Sequence, residues 1–384
     1  MLNRSTLSAA ALLALAACAD GTPVAGPAAG AAPLQSAQSG RGIDGQYIVV
    51  LNEGADPRSV AAIAGVSPRF VYTSAVNGFA AALNPGQLTA LRHNPNVAYV
   101  EQDQRAETYA TQTGATWGID RIDQRNLPLS NSYTYTATAS TVYAYILDTG
   151  IQANHPQFGT RAASAYDYAG GSGADCNGHG THVAGTIGST TYGVAKSVRL
   201  RGVRVMDCNG SGSIAQIVAG VDWVRLNRTN PAVANISLGG GFSATLNTAV
   251  TNLSSSGVFV AVAAGNSNSD ACNYSPASAA AAFTTASSES NDAKRTSSNW
   301  GSCVDGYAPG GSITSTWIGS ATNTISGSSM ASPHVAGVAA LYKAVNGNVS
   351  SATIDTWIKN NATAGVITGN PAGTPNRLLY KAAL

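Results

Sequence analysis

Three short stretches carry residue types that could do covalent chemistry together. The first, near the C-terminal end, is Gly327-Ser328-Ser329-Met330-Ala331-Ser332-Pro333-His334-Val335-Ala336-Gly337. Small residues lead to a serine, and an apolar, Ala-rich helical pattern follows through Leu341. This predicts a tight turn delivering a hydroxyl to a helix N-terminus, where free N–H groups and the positive dipole end favour a developing anion. Pro333 is read as part of the first turn, where a missing N–H costs little. Taken alone, the serine reads as an N-cap on a core helix. The second stretch, Asn177-Gly178-His179-Gly180-Thr181-His182-Val183-Ala184-Gly185, sets glycines on both sides of His179 and exposes its ring. His179 and His182 could also share a metal, but no acid accompanies them as in H-E-x-x-H, and His182 reads as structural. The third, Ala144-Tyr145-Ile146-Leu147-Asp148-Thr149-Gly150, is an apolar strand ending in a carboxylate. Such an Asp can orient an imidazole, although alone it reads as a turn cap. Asp148, His179 and Ser329 together offer the parts of an acyl-transfer triad.

Rigid elements must hold those three groups. Strands are expected over 142–147, 198–205, 233–237 and 258–263, and helices over 179–187, 214–226, 246–255 and 329–345. Near-continuous apolar strands between helices predict an α/β fold, a doubly wound and mostly parallel sheet covered on both faces. Functional loops then lie at the carboxyl ends of the strands. Upstream, residues 45–109 predict a separate small domain. Strands over 47–51, 70–73, 79–83 and 97–100 alternate with helices over 57–64 and 85–92, with Asn77-Gly78 as a turn. The order βαββαβ is the ferredoxin-like α+β arrangement.

A length of 384 residues accommodates both domains. Only 10% of residues are charged and 42 are glycine, a composition suited to a compact exported protein. A net charge of +2 without a basic run gives no reason to expect a nucleic-acid partner. Residues 1–18 read as an export signal, with Arg4 before an apolar run too short to span a bilayer. Residues 19–44, rich in Ala, Gly, Pro, Ser and Gln, read as a flexible linker. Beyond Cys18, four cysteines remain: Cys176, Cys208, Cys272 and Cys303. An even set in an oxidising compartment favours two disulfides, and no C-x-x-C pair supports zinc. Three pairings stay open.

The motifs D-T-G, G-H-G-T-H-V-A-G and G-S-S-M-A-S-P-H-V-A-G resemble those of the subtilisin family of serine proteases, whose known order is Asp, His, Ser. The resemblance extends through Asn235-Ile236-Ser237-Leu238-Gly239-Gly240 and Ala263-Ala264-Gly265-Asn266-Ser267, and covers about residues 110–384. Cys-Asn-Gly-His-Gly and Asp207-Cys208-Asn209-Gly210-Ser211-Gly212 are nearest the proteinase K and aqualysin branch. The small domain is similar to the family's inhibitory propeptide. One departure is Ser328, where the family more often has Thr.

The resemblance implies a role for each position. Ser329 is the nucleophile, His179 the base, Asp148 its orienting carboxylate, and Asn266 an oxyanion donor beside the Ser329 N–H. Losing such a donor costs on the order of 3–4 kcal/mol of barrier, a size known from a subtilisin. Gly210, Ser211 and Gly212 with Ser237, Leu238 and Gly239 are expected to pair with an extended substrate by β-augmentation. Ala263, Ala264 and Gly265 are expected to line an uncharged primary pocket that takes large apolar or aromatic side chains. The implied disulfides are Cys176–Cys208 and Cys272–Cys303. Structural calcium is expected on Asp305 with the carbonyls of Ala280 and Ala282. A second site is Asp120, Asp123 and Gln124, with Ser130 where some relatives carry a carboxylate. Self-cleavage is expected between Tyr109 and Ala110, with the propeptide acting as an intramolecular chaperone and, once freed, as an inhibitor. Leu15-Ala16-Ala17-Cys18 resembles a bacterial lipobox, so lipidation of Cys18 would tie the precursor to the cell envelope. The alternative is an ordinary signal with an incidental cysteine. The expected activity is that of a secreted, monomeric serine endopeptidase acting on proteins and peptides. A catalytically dead peptide-binding scaffold is disfavoured by the complete residue set. A lipid- or ester-cleaving hydrolase is disfavoured because those carry G-x-S-x-G and place His last.

Overall fold

The computed structural model describes residues 30–37, 42–105 and 110–384. The chain divides into two compact units, Met1–Glu107 and Thr108–Leu384.

The first unit contains β1 (Leu34–Gln35), β2 (Gly42–Leu51), α1 (Pro57–Ile63), β3 (Phe70–Thr73), β4 (Asn77–Ala82), α2 (Pro85–Arg92) and β5 (Val97–Gln104). Each helix opens on a proline behind a capping side chain. The Asp56 carboxylate accepts the Ser59 N–H, and Asn84 and Gln87 close a reciprocal capping box. The sheet runs β1-β5-β2-β4-β3, antiparallel except for β1 beside β5. Val49, Phe79, Leu91 and Val100 form its fully buried core. Two expectations change here. Leu34 and Gln35, assigned to the linker, pair with Val100 and Glu101. Asn77-Gly78 is not the turn: both residues begin β4, and a side chain at Gly78 would meet the Val49 carbonyl at 2.2 Å. The glycine lets β4 lie against β2.

The second unit begins with β6 (Ala110–Thr113), α3 (Trp117–Asp123), β7 (Ser132–Tyr135), β8 (Tyr143–Asp148), β9 (Ala162–Asp167) and α4 (His179–Gly188). It continues through β10 (Arg199–Arg204), α5 (Ile214–Asn227), β11 (Ala232–Ile236), β12 (Gly240–Gly241), α6 (Ala244–Ser255), β13 (Phe259–Ala263) and β14 (Tyr274–Ser275). After these come β15 (Phe283–Ser288), β16 (Gly306–Pro309), the β17–β18 hairpin (Ile313–Trp317, Ala321–Ile325), α7 (Ser328–Asn346), α8 (Ser351–Asn361), β19 (Thr363–Ala364) and β20 (Arg377–Leu378). Nine strands form a mixed sheet, β19-β20-β16-β15-β13-β11-β8-β10-β9, parallel except for β19 against β20. Strand residues alternate between two cores. Ala144, Ile146, Phe259 and Ala261 pack with α4 and α7 on one face, while Tyr145, Leu147, Val260 and Val262 pack with α5 and α6 on the other. β8 lies between β10 and β11, where the winding reverses, and there the carboxyl ends of adjacent strands open a crevice.

Candidate active site

The three reactive groups stand at element ends around that crevice. Asp148 closes β8, His179 opens α4, and Ser329 is the second residue of α7. A side chain at Gly180 would meet the Gly150 carbonyl at 2.1 Å, so glycines in both motifs let the β8 end and the α4 start approach. His179 Nδ1 lies 2.7 Å from Asp148 Oδ1, which also accepts the Thr149 N–H at 2.8 Å. An ionised carboxylate only accepts, so Nδ1 carries the proton and Nε2 keeps its lone pair for the crevice. Asp148 is 2% exposed at its side chain and His179 27%. Burial pulls the imidazole pKa down, but the charge and hydrogen bond of Asp148 and the charge of Asp175 leave it above the ordinary value. Two of the other histidines, His182 and His334, are different. His182 Nε2 meets the Ile313 and Asn323 carbonyls at 3.0 and 3.2 Å, and burial lowers its pKa to about 4. Burial does the same to His334. Both are neutral structural groups.

Asp175 is a residue that sequence reasoning missed. Its Oδ1 accepts the Thr149 hydroxyl and the Asn177 and Gly178 N–H groups, each at 2.8–2.9 Å. Its Oδ2 accepts the N–H and hydroxyl of Thr181. The signal was an Asp two and three residues ahead of a Gly-rich turn, the spacing at which Asx side chains collect backbone donors.

The surroundings of Ser329 are equally determined. Pro333 falls in the second turn of α7 rather than the first. It has no N–H to give the Ser329 carbonyl four residues back. The Ser237 hydroxyl supplies the bond instead, at 2.8 Å, while the Ser329 hydroxyl donates to the Ser237 carbonyl at 3.0 Å. Behind them, Asn235 donates to Ser237 and accepts from Ser332, all buried. Asn266 Oδ1 accepts the Ser328 N–H at 2.8 Å, which turns its amide nitrogen outward. Ser328 Oγ accepts the Gly265 N–H, so the smaller residue keeps a working hydroxyl.

Residues 140–378 match the family described as the subtilase family, peptidase S8. The chain belongs to the subtilase family. Residues 64–109 match the peptidase inhibitor I9 family. This subtilase is similar to the extracellular serine proteinase of Thermus sp. (strain Rt41A), 48% identical over 398 residues covering 96% of this chain and 97% of the relative. It is 46% identical over 390 residues to the alkaline serine protease ver112 of Corniculantispora psalliotae, covering 99% of each. A solved cold adapted subtilisin-like serine proteinase is 49% identical, with a TM-score of 0.69, covering 71% of this chain and 100% of that one.

Around Asp148, His179 and Ser329 the remaining candidates take definite places. Gly210, Ser211 and Gly212 form a loop in which the Asp207 carboxylate accepts the Asn209 and Ser211 N–H groups. Ser237, Leu238 and Gly239 leave the end of β11. Ala263 and Ala264 at the end of β13 are buried, and Gly265 turns away with φ 102°. Asn299, also missed from sequence, donates its amide to the Ala264 carbonyl and its backbone N–H to the Gly265 carbonyl. Disulfides join Cys176 to Cys208 and Cys272 to Cys303. The first anchors the loop before His179, where Asn177 also donates to the Cys208 carbonyl. Cys18 and Tyr109 lie outside the described residues, and Ala110 begins β6. Among the described residues no helix is long and apolar enough to cross a membrane.

The two expected calcium positions differ in fit. Asp305 Oδ1 receives the Lys359 ammonium at 2.7 Å and Oδ2 the Thr284 N–H at 2.8 Å. Those donors do not fit a calcium ion bound directly to Asp305 beside the Ala280 and Ala282 carbonyls. At the other position Asp120 takes Ser130 and Asn131 donors, Asp123 takes the Thr134 N–H, and Gln124 Oε1 accepts the Ser130 N–H. The carbonyls of Asn126 and Pro128 converge on the Gln124 amide. These donors are neutral, unlike the Lys359 ammonium on Asp305, and two carboxylates with carbonyl and amide oxygens fit a hard cation that displaces them. Among the described residues no three His, Cys, Asp or Glu side chains cluster as a metal site, so backbone oxygens and water would complete this one.

Proposed function

We infer that this chain is a secreted serine endopeptidase, made as a zymogen whose I9 propeptide inhibits it until removed. The observation that carries the mechanism is the 2.7 Å Asp148–His179 bond, with Ser329 in the first turn of α7. In the reaction the Ser329 hydroxyl leaves the Ser237 carbonyl, gives its proton to His179 Nε2 and attacks the peptide carbonyl. Asp148 holds the ring and stabilises the imidazolium. The oxyanion is received by the outward amide of Asn266 and the first-turn N–H of Ser329. His179 then returns the proton to the leaving amine, and water repeats the cycle on the acyl-enzyme.

Finer readings have their own support. Gly210, Ser211, Gly212, Ser237, Leu238 and Gly239 offer backbone to an extended peptide, and the absence of charge at Ala263, Ala264 and Gly265 favours aromatic or large apolar residues before the cleaved bond. The strand order β5-β2-β4-β3 with two crossing helices supports a ferredoxin-like propeptide. Both disulfides and the Asp207–Gly212 segment favour the proteinase K and aqualysin branch. Structural calcium belongs at Asp120, Asp123 and Gln124. The word extracellular in the Thermus relative's name supports secretion. The processing bond Tyr109–Ala110, the lipid on Cys18 and a monomeric enzyme remain part of this reading.

A peptidyl phosphonate tests the reaction. It should label Ser329 and abolish hydrolysis of a peptide with an aromatic residue before the scissile bond. Ser329→Ala should remain an unlabelled, uncleaved precursor. Normal maturation of that variant, in a preparation free of other proteases, would exclude Ser329 as nucleophile.

A further inference from the structure

At Asp305 the chain carries a cation of its own. Lys359, in the last turn of α8, places its ammonium 2.7 Å from Asp305 Oδ1 and 2.8 Å from Asp355 Oδ2, one helical turn earlier. The same ammonium lies 5.9 Å from the centre of the Phe283 ring, next in the chain to Ala282. It therefore stands at the turn whose carbonyls, those of Ala280 and Ala282, were expected to complete a metal site. The second Asp305 oxygen is filled by the Thr284 N–H, and a tight turn ties the Ala282 N–H to the Ala279 carbonyl. A divalent ion bound to Asp305 Oδ1 would face a fixed positive charge about 3 Å beyond that oxygen, in a partly screened environment where like charges repel.

We propose that Lys359 replaces calcium at Asp305, its ammonium bridging Asp305 and Asp355 so that the loop before β16 and the end of α8 are joined without a metal ion. The device is a covalently held counter-ion. Chelators cannot remove it, and its attachment does not depend on ambient calcium. It makes the Asp305 region independent of calcium while leaving the Asp120 position free to bind it.

The test uses mature enzyme blocked by the phosphonate, so that autolysis does not intervene, and calcium itself as the probe. Bound calcium is counted by equilibrium dialysis, and the melting temperature is followed in EDTA and in added calcium. Wild type and Asp305→Asn should bind the same number of calcium ions. Lys359→Met should melt below wild type in EDTA, bind one more calcium ion, and regain much of the lost melting temperature when calcium is added. Lys359→Arg should behave as wild type. Loss of one bound calcium on Asp305→Asn would overturn the proposal. So would a Lys359→Met protein that folds, reacts with phosphonate and gains no calcium. Full phosphonate reactivity in every variant separates this result from a failure of the protease reading.

Discussion

At the scale of single residues, Asp148, His179 and Ser329 are held in place by neighbouring side chains. Asp175 is the clearest of these. It gathers five donors from both motifs, and its charge helps hold the His179 pKa above the ordinary value. Thr149 links the two sides, donating to Asp175 and accepting the Gly180 N–H at 3.0 Å. Asp175→Asn keeps the shape but removes the charge and one acceptor. The variant should lower kcat/KM by on the order of 10²-fold, the cost of a small misplacement of a catalytic group. The base must be neutral to act, so the acidic limb of kcat/KM reports its pKa and should move to lower pH in this variant. A pH profile unmoved by the substitution would mean that Asp175 only stabilises the loop.

At the scale of elements, the start of α7 depends on an exchange between two chain segments. Pro333 withholds the N–H that Ser329 would have accepted, and Ser237 beyond β11 fills the gap. Ser237→Ala should leave a buried carbonyl unpaired and cost about 1–3 kcal/mol in the urea midpoint. Pro333→Ala restores the helical donor, so the double variant should recover part of that loss. Simple additivity of the two changes would refute the exchange. This arrangement also marks what the sequence could and could not reveal. Asp148, His179 and Ser329 were legible because each sits in a Gly-rich motif beside an apolar strand or helix, and β8, β11 and β13 read as near-continuous apolar runs. β15 did not, because Phe283-Thr284-Thr285-Ala286-Ser287-Ser288 is polar in composition yet wholly buried. The β17–β18 hairpin was missed for a related reason. Its Ser315 and Thr316 hydroxyls are buried donors to the His182 and Thr181 carbonyls, so burial there follows hydrogen bonding and not hydrophobicity. Asp175 and Asn299 act through backbone groups brought close only by folding, and Pro333 is the sixth residue of the helix that begins at Ser328, beyond its first turn.

At the scale of the whole catalytic unit, two disulfides and three buried lysines set the response to solution conditions. The disulfides close separations of 32 and 31 residues, each worth roughly 3–4 kcal/mol in the chain-entropy view. Reduction should therefore lower the melting temperature markedly in a calorimetric scan. The lysines give a sharper prediction. Lys196 donates to the Thr190 and Gly193 carbonyls, Lys343 to that of Gly257, and Lys381 to that of Leu384. Burial lowers the pKa of each from 10.5 to about 8. Below about pH 8 these lysines are protonated in both folded and unfolded chains, so they add no pH dependence there. Between about pH 8 and 10.5 the unfolded chain keeps protons that the folded chain has released, so stability rises with pH. The full difference is worth on the order of 3 kcal/mol per lysine. Buried Tyr133 opposes the trend at the upper end. Burial, with Asp123 and Tyr135 nearby, holds its pKa well above 10.0, so the unfolded chain loses that proton first and stability falls again above about pH 10. The phosphonate-blocked enzyme should therefore be most stable near pH 10, and Lys343→Met should flatten the rise. Melting temperatures that stay level or fall from pH 8 to pH 10 would show that the carbonyl cages keep these lysines charged.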